Sequence, residues 1–141
     1  MKTKKIFLPV IAFVLLATTA CEKYPEGPNM SLRSRSERVA NTWKAAKVTD
    51  GNSDVTSDYD QYELDLTKSG GATLTAKYNF FGETFEITTE GTWSFMEKDT
   101  KIALDFENND ADNVYRIDKL EEEEMWLRED GGTVEFHFVP K

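Results

Sequence analysis

The side chains equipped for chemistry are few and far apart. The chain of 141 residues holds one Cys, Cys21, and one His, His137. One Cys excludes an internal disulfide and any Cys-based zinc site. One His excludes a two-His metal centre and leaves a single residue able to activate a nucleophile. No Gly-x-Ser-x-Gly elbow, phosphate-binding Gly loop or His-Glu-x-x-His is present. Carboxylates are plentiful, 26 Asp+Glu against 17 Lys+Arg, but they fall on outward strand phases and in loops. Asp50-Gly51-Asn52-Ser53-Asp54, with Asp58 beyond, has the alternating oxygens that open a calcium loop. Val55 then stands where the turn Gly is required and Gln61 where the closing Glu is required. Residues 107–112 lack the spacing too, and Glu121-Glu122-Glu123-Glu124 must face water because its like charges repel. The expectation is a protein that is not an enzyme and uses no metal or cofactor.

What remains is aromatic. Tyr62, Tyr78, Phe80, Phe85, Trp93, Phe95, Phe106, Tyr115, Phe136 and Phe138 all fall on the apolar phase of period-two segments. Such rings either line a cup for a small apolar ligand, with tyrosine hydroxyls to orient it, or fill the interior outright. An interior mostly filled, with a small pocket at the mouth, is the expected balance. His137 lies between Phe136 and Phe138 and should face the other way.

The elements carrying these rings are strands. Tyr62, Leu64 and Leu66 alternate with polar residues, as do Ala72, Leu74, Ala76, Tyr78 and Phe80. Phe85 to Phe95 keep one phase, which predicts a long strand over 84–96 bent at Gly91. Ile102, Leu104 and Phe106, then Tyr115 and Ile117, Met125 and Leu127, and Val134, Phe136 and Phe138 continue the pattern. With a first strand over 42–48, about eight strands result. Ser69-Gly70-Gly71, Phe81-Gly82, Glu97-Lys98-Asp99, Asn108-Asn109-Asp110 and Asp130-Gly131-Gly132 supply short turns. Short links make successive strands antiparallel neighbours. The fold class is therefore all-β: an eight-stranded antiparallel up-and-down meander, which removes its two edges by closing into a barrel. An open sandwich is the rival, and a disulfide-stapled immunoglobulin domain is excluded by the missing Cys pair.

The N-terminal part is different. Met1-Lys2-Thr3-Lys4-Lys5 is basic, residues 6–17 are apolar but for Pro9, and small residues lead to Cys21. This is the layout of an export signal, and it is too short for a membrane span of roughly 20 apolar residues. Leu16-Ala17-Thr18-Thr19-Ala20-Cys21 resembles the lipobox of bacterial lipoproteins, with Thr18 where Leu is usual. The resemblance implies cleavage before Cys21, a diacylglyceryl thioether with an added N-acyl chain such as palmitate, and stable anchoring at a membrane, that of a Gram-negative-type envelope and its outer membrane facing periplasm or surface. The expected division is a lipoprotein signal peptide over 1–20, lipidated Cys and flexible tether over 21–38, and a barrel over 39–141. Ser31 is the expected N-cap of one short helix in the Arg/Ser part of the tether, and Arg33, Arg35 and Arg38 read as a solvated spacer. Residues 1–20 hold three of the 17 basic residues and none of the acidic ones, so from Cys21 on the chain has 14 basic residues against 26 acidic and a net charge of −12. That charge argues against nucleic acid and against a broad docking face on anionic lipid.

Asn41-Thr42-Trp43, Gly91-Thr92-Trp93-Ser94-Phe95, Leu120 and Met125-Trp126-Leu127 complete the pattern. The stretch 39–141 is similar to the short lipocalin-like domains carried by many bacterial lipoproteins. Lipocalins have a Gly-x-Trp in the first strand and a late Arg packed on that Trp. The resemblance implies Trp43 for the Trp, with Asn41 in place of the Gly, and Arg128 for its partner, from the penultimate strand. It also implies a shallow cavity for a small apolar or amphipathic ligand. The alternative is a filled barrel whose acidic loops and tether engage another envelope protein.

Overall fold

The computed structural model describes residues 24–25, 32–59 and 61–141, with the backbone alone for Tyr78. The export signal, Cys21 and half of the proposed segment 21–38 lie outside the described residues. The elements are a short helix α1 (Arg35–Val39) and nine strands: β1 (Asn41–Asp50), β2 (Ser53–Asp54), β3 (Gln61–Leu66), β4 (Gly71–Phe80), β5 (Glu83–Met96), β6 (Lys101–Phe106), β7 (Asn113–Leu120), β8 (Met125–Glu129) and β9 (Val134–Pro140). All pairings are antiparallel, and apart from the two-residue β2, which folds back on β1, each strand pairs with the next.

β1 and β9 also pair, from Trp43 opposite Pro140 to Asp50 opposite Val134. The eight long strands therefore close into a barrel, as the turn pattern predicts, and the sandwich is excluded. A register shift between Ala45 and Lys47 inserts one residue into β1. This bulge flips the phase, so that Trp43 and Val48, five positions apart, are both fully buried. The inner phase of the eight long strands supplies the core, with Leu64, Leu66, Ile102, Leu127 and Phe138 among its most buried members.

β5 is the single long strand expected, and at Gly91 it runs close against β6. A Cβ there would lie 2.0 Å from the Asp105 carbonyl oxygen on β6. Phe81 and Gly82 have φ of 50° and 81°, the two positive values a tight hairpin turn requires. The β5–β6 turn is more strained, because Glu97, Lys98 and Asp99 all sit at positive φ without being glycine.

One end of the barrel is plugged. Ser34 caps α1, its hydroxyl accepting from Glu37 N–H while the Glu37 carboxylate accepts from Ser34 N–H. The predicted cap, Ser31, is displaced because only Ser34 has a Glu three residues on. These bonds and the Lys68 ammonium hold the Glu37 carboxyl down at about 2. The solvated-spacer reading fails for the end of this segment. Val39 is fully buried and Arg38 is only 8% exposed, its guanidinium donating to the Leu120 carbonyl at 2.7 Å. The folded unit therefore begins before residue 39. Trp43 donates its indole N–H to the Val39 carbonyl at 2.8 Å and Trp93 donates to Thr67 at 2.7 Å. Arg35 pairs with Asp99 at 3.1 Å, and the buried Tyr24 hydroxyl donates to the Asp99 carbonyl.

Two substitutions should move stability in opposite directions. Gly91→Ala forces β6 away and is expected to destabilise by about 2 kcal/mol, whereas Lys98→Gly relieves a left-handed residue and should stabilise by about 0.5–1 kcal/mol. Urea unfolding of the two variants checks both signs.

Candidate functional site

Opposite the plug, the barrel is open. Its rim is made by the β1–β3 connection with a 3₁₀ turn at Thr56–Asp58, the β4–β5 hairpin, the β6–β7 connection with a 3₁₀ turn at Asn109–Ala111, and the β8–β9 turn. Within this rim lies a hollow of about 240 Å³. Tyr59, Tyr62, Tyr115 and Phe136 form its aromatic wall, Leu74, Ala76 and Ile87 its aliphatic wall, and Asp110, Asp112, Asn113 and Glu129 its polar edge. A second hollow of about 190 Å³ adjoins it, sharing Tyr59 and bounded by Asp58, Phe80 and Val134.

The rings pack on one another. Tyr62 stacks on Phe136 at 4.8 Å between centroids, and Tyr59 meets both edge-on at 5.7 and 5.3 Å. Phe138 stacks beneath Phe136 at 5.6 Å and closes the floor. The Tyr62 and Tyr115 hydroxyls lie close enough to influence each other's ionisation. Burial is the main cause that lifts both hydroxyl pKa values, Tyr115 to about 12 and Tyr62 well above 10. The Glu129 carboxylate raises both further. The hollow thus offers un-ionised hydroxyls as donors and acceptors beside apolar ring surface.

The predicted lining divides into three groups. Tyr62, Tyr115 and Phe136 meet at the hollow, with Phe138 beneath them. Phe106 is buried in the core; Trp93 and Phe95 pack edge-on at 5.3 Å near the plugged end. Phe80 and Phe85 do not line the main hollow: they are 58% and 40% exposed, and Phe80 bounds only the second one. They have the inward phase, but β4 and β5 outrun their neighbours, so both rings stand beyond the rim. The side chain of Tyr78 lies outside the described residues.

The Trp43–Arg128 pairing does not form. Trp43 is buried inside, whereas Arg128 follows inward-facing Leu127 and points outward. There its Nε donates to Asp118 at 2.8 Å, and its guanidinium pairs with Glu135. The buried arginine near Trp43 in sequence is instead Arg38, from α1. His137 also faces outward as expected, stacked on Trp126 at 3.9 Å and bonded to Glu135 at 2.6 Å. The glutamate run forms the β7–β8 turn, where Glu124 accepts from Lys119 and from the Trp126 indole, each at 2.7 Å. Among the described residues, no group of three or more His, Cys, Asp or Glu could hold a metal ion.

Sequence reasoning missed Tyr59, Ile87, Asn113 and Glu129. Three were detectable: Ile87 shares the phase of Phe85, Glu129 continues that of Met125 and Leu127, and Asn113 that of Tyr115 and Ile117. Tyr59 sits in a connection without period, and nothing local marks it.

If burial holds the tyrosines neutral, their linkage to stability has a definite sign. A native pKa above the unfolded value of about 10 stabilises fully below that pH, and the gain is lost as pH rises toward about 12. Unfolding midpoints should fall over that window, and Tyr62→Phe and Tyr115→Phe should each flatten the fall.

Comparison with known proteins supports the fold. No family model matches the chain, and no curated protein matches it by sequence. Among solved structures, a lipocalin-like protein from Bacteroides uniformis superposes with a TM-score of 0.51 at 16% identity, covering 74% of this chain and 99% of that one. The odorant-binding protein from bovine nasal mucosa gives 0.46 at 14% identity, covering 81% and 77%. With its closed eight-stranded meander and plugged end, the chain has a lipocalin-like fold.

Proposed function

We propose that the protein is a lipid-anchored envelope lipoprotein whose lipocalin-like barrel binds a small apolar or amphipathic ligand at its mouth, acting as a binding module rather than an enzyme. The observation that carries this reading is the hollow of about 240 Å³ walled by Tyr59, Tyr62, Tyr115 and Phe136. Apolar walls with a few convergent polar groups are the usual make-up of a small-molecule site. The volume falls below the roughly 300 Å³ at which drug-sized sites begin, so it counts against a deep cup and restricts the occupant to a one-ring or short-chain molecule. A binding role also suits the placement of His137, stacked on the outer wall away from the hollow. A small environment-sensitive apolar dye should bind the wild type with raised fluorescence. Ile87→Trp, at a half-buried position on the rim, should fill the space and abolish the signal without lowering the melting temperature.

The anchoring part of the proposal rests on the lipobox-like stretch ending at Cys21. Cys21→Ser should move the protein from the membrane fraction to the soluble fraction, and mass spectrometry should show the loss of acyl mass. Continued membrane attachment of that variant would count against the anchor.

A second reading, an interaction subunit for another envelope protein, is favoured by the β4–β5 tip, where Phe81 is 93% exposed beside Phe80. On that reading a partner co-purifies in mild detergent and is lost in Phe81→Ser.

A further inference from the structure

The open end of this molecule is acidic. Among the described residues, the segments that build the open end, 50–59, 79–86, 106–113 and 129–134, hold ten Asp and Glu and no Lys, Arg or His. Two of these are paired with cations on neighbouring strands, Glu86 with Lys77 and Asp130 with Lys101, whereas at the plugged end Arg35, Lys68 and Lys119 are matched by Asp99, Glu37 and Glu124, so charge of both signs meets there. A concave mouth lined by one sign of charge focuses its field on the opening and concentrates counter-charged solutes there.

Glu129 brings that charge into the hollow itself. It lies on the inward phase of β8, half-buried, and accepts from the Asn113 amide at 3.3 Å. Among the described residues no cation stands within ion-pair distance of it, nor of Asp58, Asp110 or Asp112. Burial raises the Tyr59, Tyr62 and Tyr115 hydroxyls, and the Glu129 charge raises all three further, so one carboxylate is felt by the whole aromatic wall. Ring faces carry negative quadrupole and attract cations, most strongly where water is thinned out. A neutral occupant would cover Glu129 and leave its charge without a partner, which is costly, and an anion would be repelled by it. No metal-holding cluster is formed among the described residues, so a cation that needs no closed shell of oxygens fits best.

We infer that the mouth selects a small organic ammonium ion carried on an aromatic or short aliphatic body, with the body against Tyr62 and Phe136 and the ammonium directed to Glu129. This deepens the binding reading above and rests on it.

Three probes on one frame separate the two claims: phenethylamine, phenethyl alcohol and phenylpropionate, titrated by calorimetry at neutral pH and low salt. The amine should bind about tenfold tighter than the alcohol, and the propionate should not bind. Raising salt to about 0.5 M should weaken the amine several-fold and leave the alcohol unchanged. Glu129→Gln should cost the amine about tenfold and spare the alcohol. Asp110→Asn, at an exposed carboxylate, should cost the amine a smaller factor and serves if Glu129→Gln melts early. Equal or tighter binding of the alcohol, or an equal loss of both probes in Glu129→Gln, overturns the charge selection and leaves the binding site standing. Failure of all three probes overturns the binding site as well.

Discussion

The seam between β1 and β9 is the constraint on which the rest depends. Paired from Trp43 to Asp50 against Pro140 to Val134, it turns an open meander into a closed wall and satisfies the backbone groups of what would otherwise be two edges. Closure also fixes the width. Eight strands enclose a space that side chains can just fill, so most inward rings are spent on packing, and a hollow survives only where the wall ends. The bulge after Ala45 serves the same seam: without the extra residue, Val48 would point to solvent once Trp43 points inward.

The two ends of this wall are treated differently. At one, α1 turns its last residues into the barrel; Val39 accepts from the Trp43 indole, and Arg38 accounts for a carbonyl of β7. Ion pairs at exposed positions, such as Lys68 with Glu37, add little by themselves, so the buried residues of the helix do most of the anchoring. At the other end no α-helix among the described residues covers the core, and the connections that form the rim are acidic. Tyr59, Tyr62, Tyr115 and Phe136 hold the surface together there by one stacked pair and by packing edges against faces. The same rings that stabilise the open end are thus the ones exposed to whatever enters it.

The outer wall shows how polar groups are kept from competing with this arrangement. Asp118, displaced by the register shift between Ile117 and Lys119, is almost fully buried, yet it accepts from Arg128 and lies 3.6 Å from Arg116. Trp126, Lys119 and His137 cover one another across β7, β8 and β9. Arg128 is committed to this network, which is why it is not available to Trp43.

Period two was legible in the residues from Tyr62 to Phe138, and with it the strands, the turns, the antiparallel order and the side of the wall each ring faces, because alternation is a local property of extended chain. Phase carries no height. Phe80, Phe85, Tyr62 and Phe138 have the same sequence signature, yet the first two overhang the rim and the last two are packed below it, since β4 and β5 have 10 and 14 residues beside the six of β3 and β6. The plug at Val39, the partner of Trp43 and the meeting of Tyr59, Tyr115 and Glu129 were likewise settled only by tertiary structure. They depend on strand tilt and stagger around a closed ring, which bring distant positions to one level and which no single segment encodes.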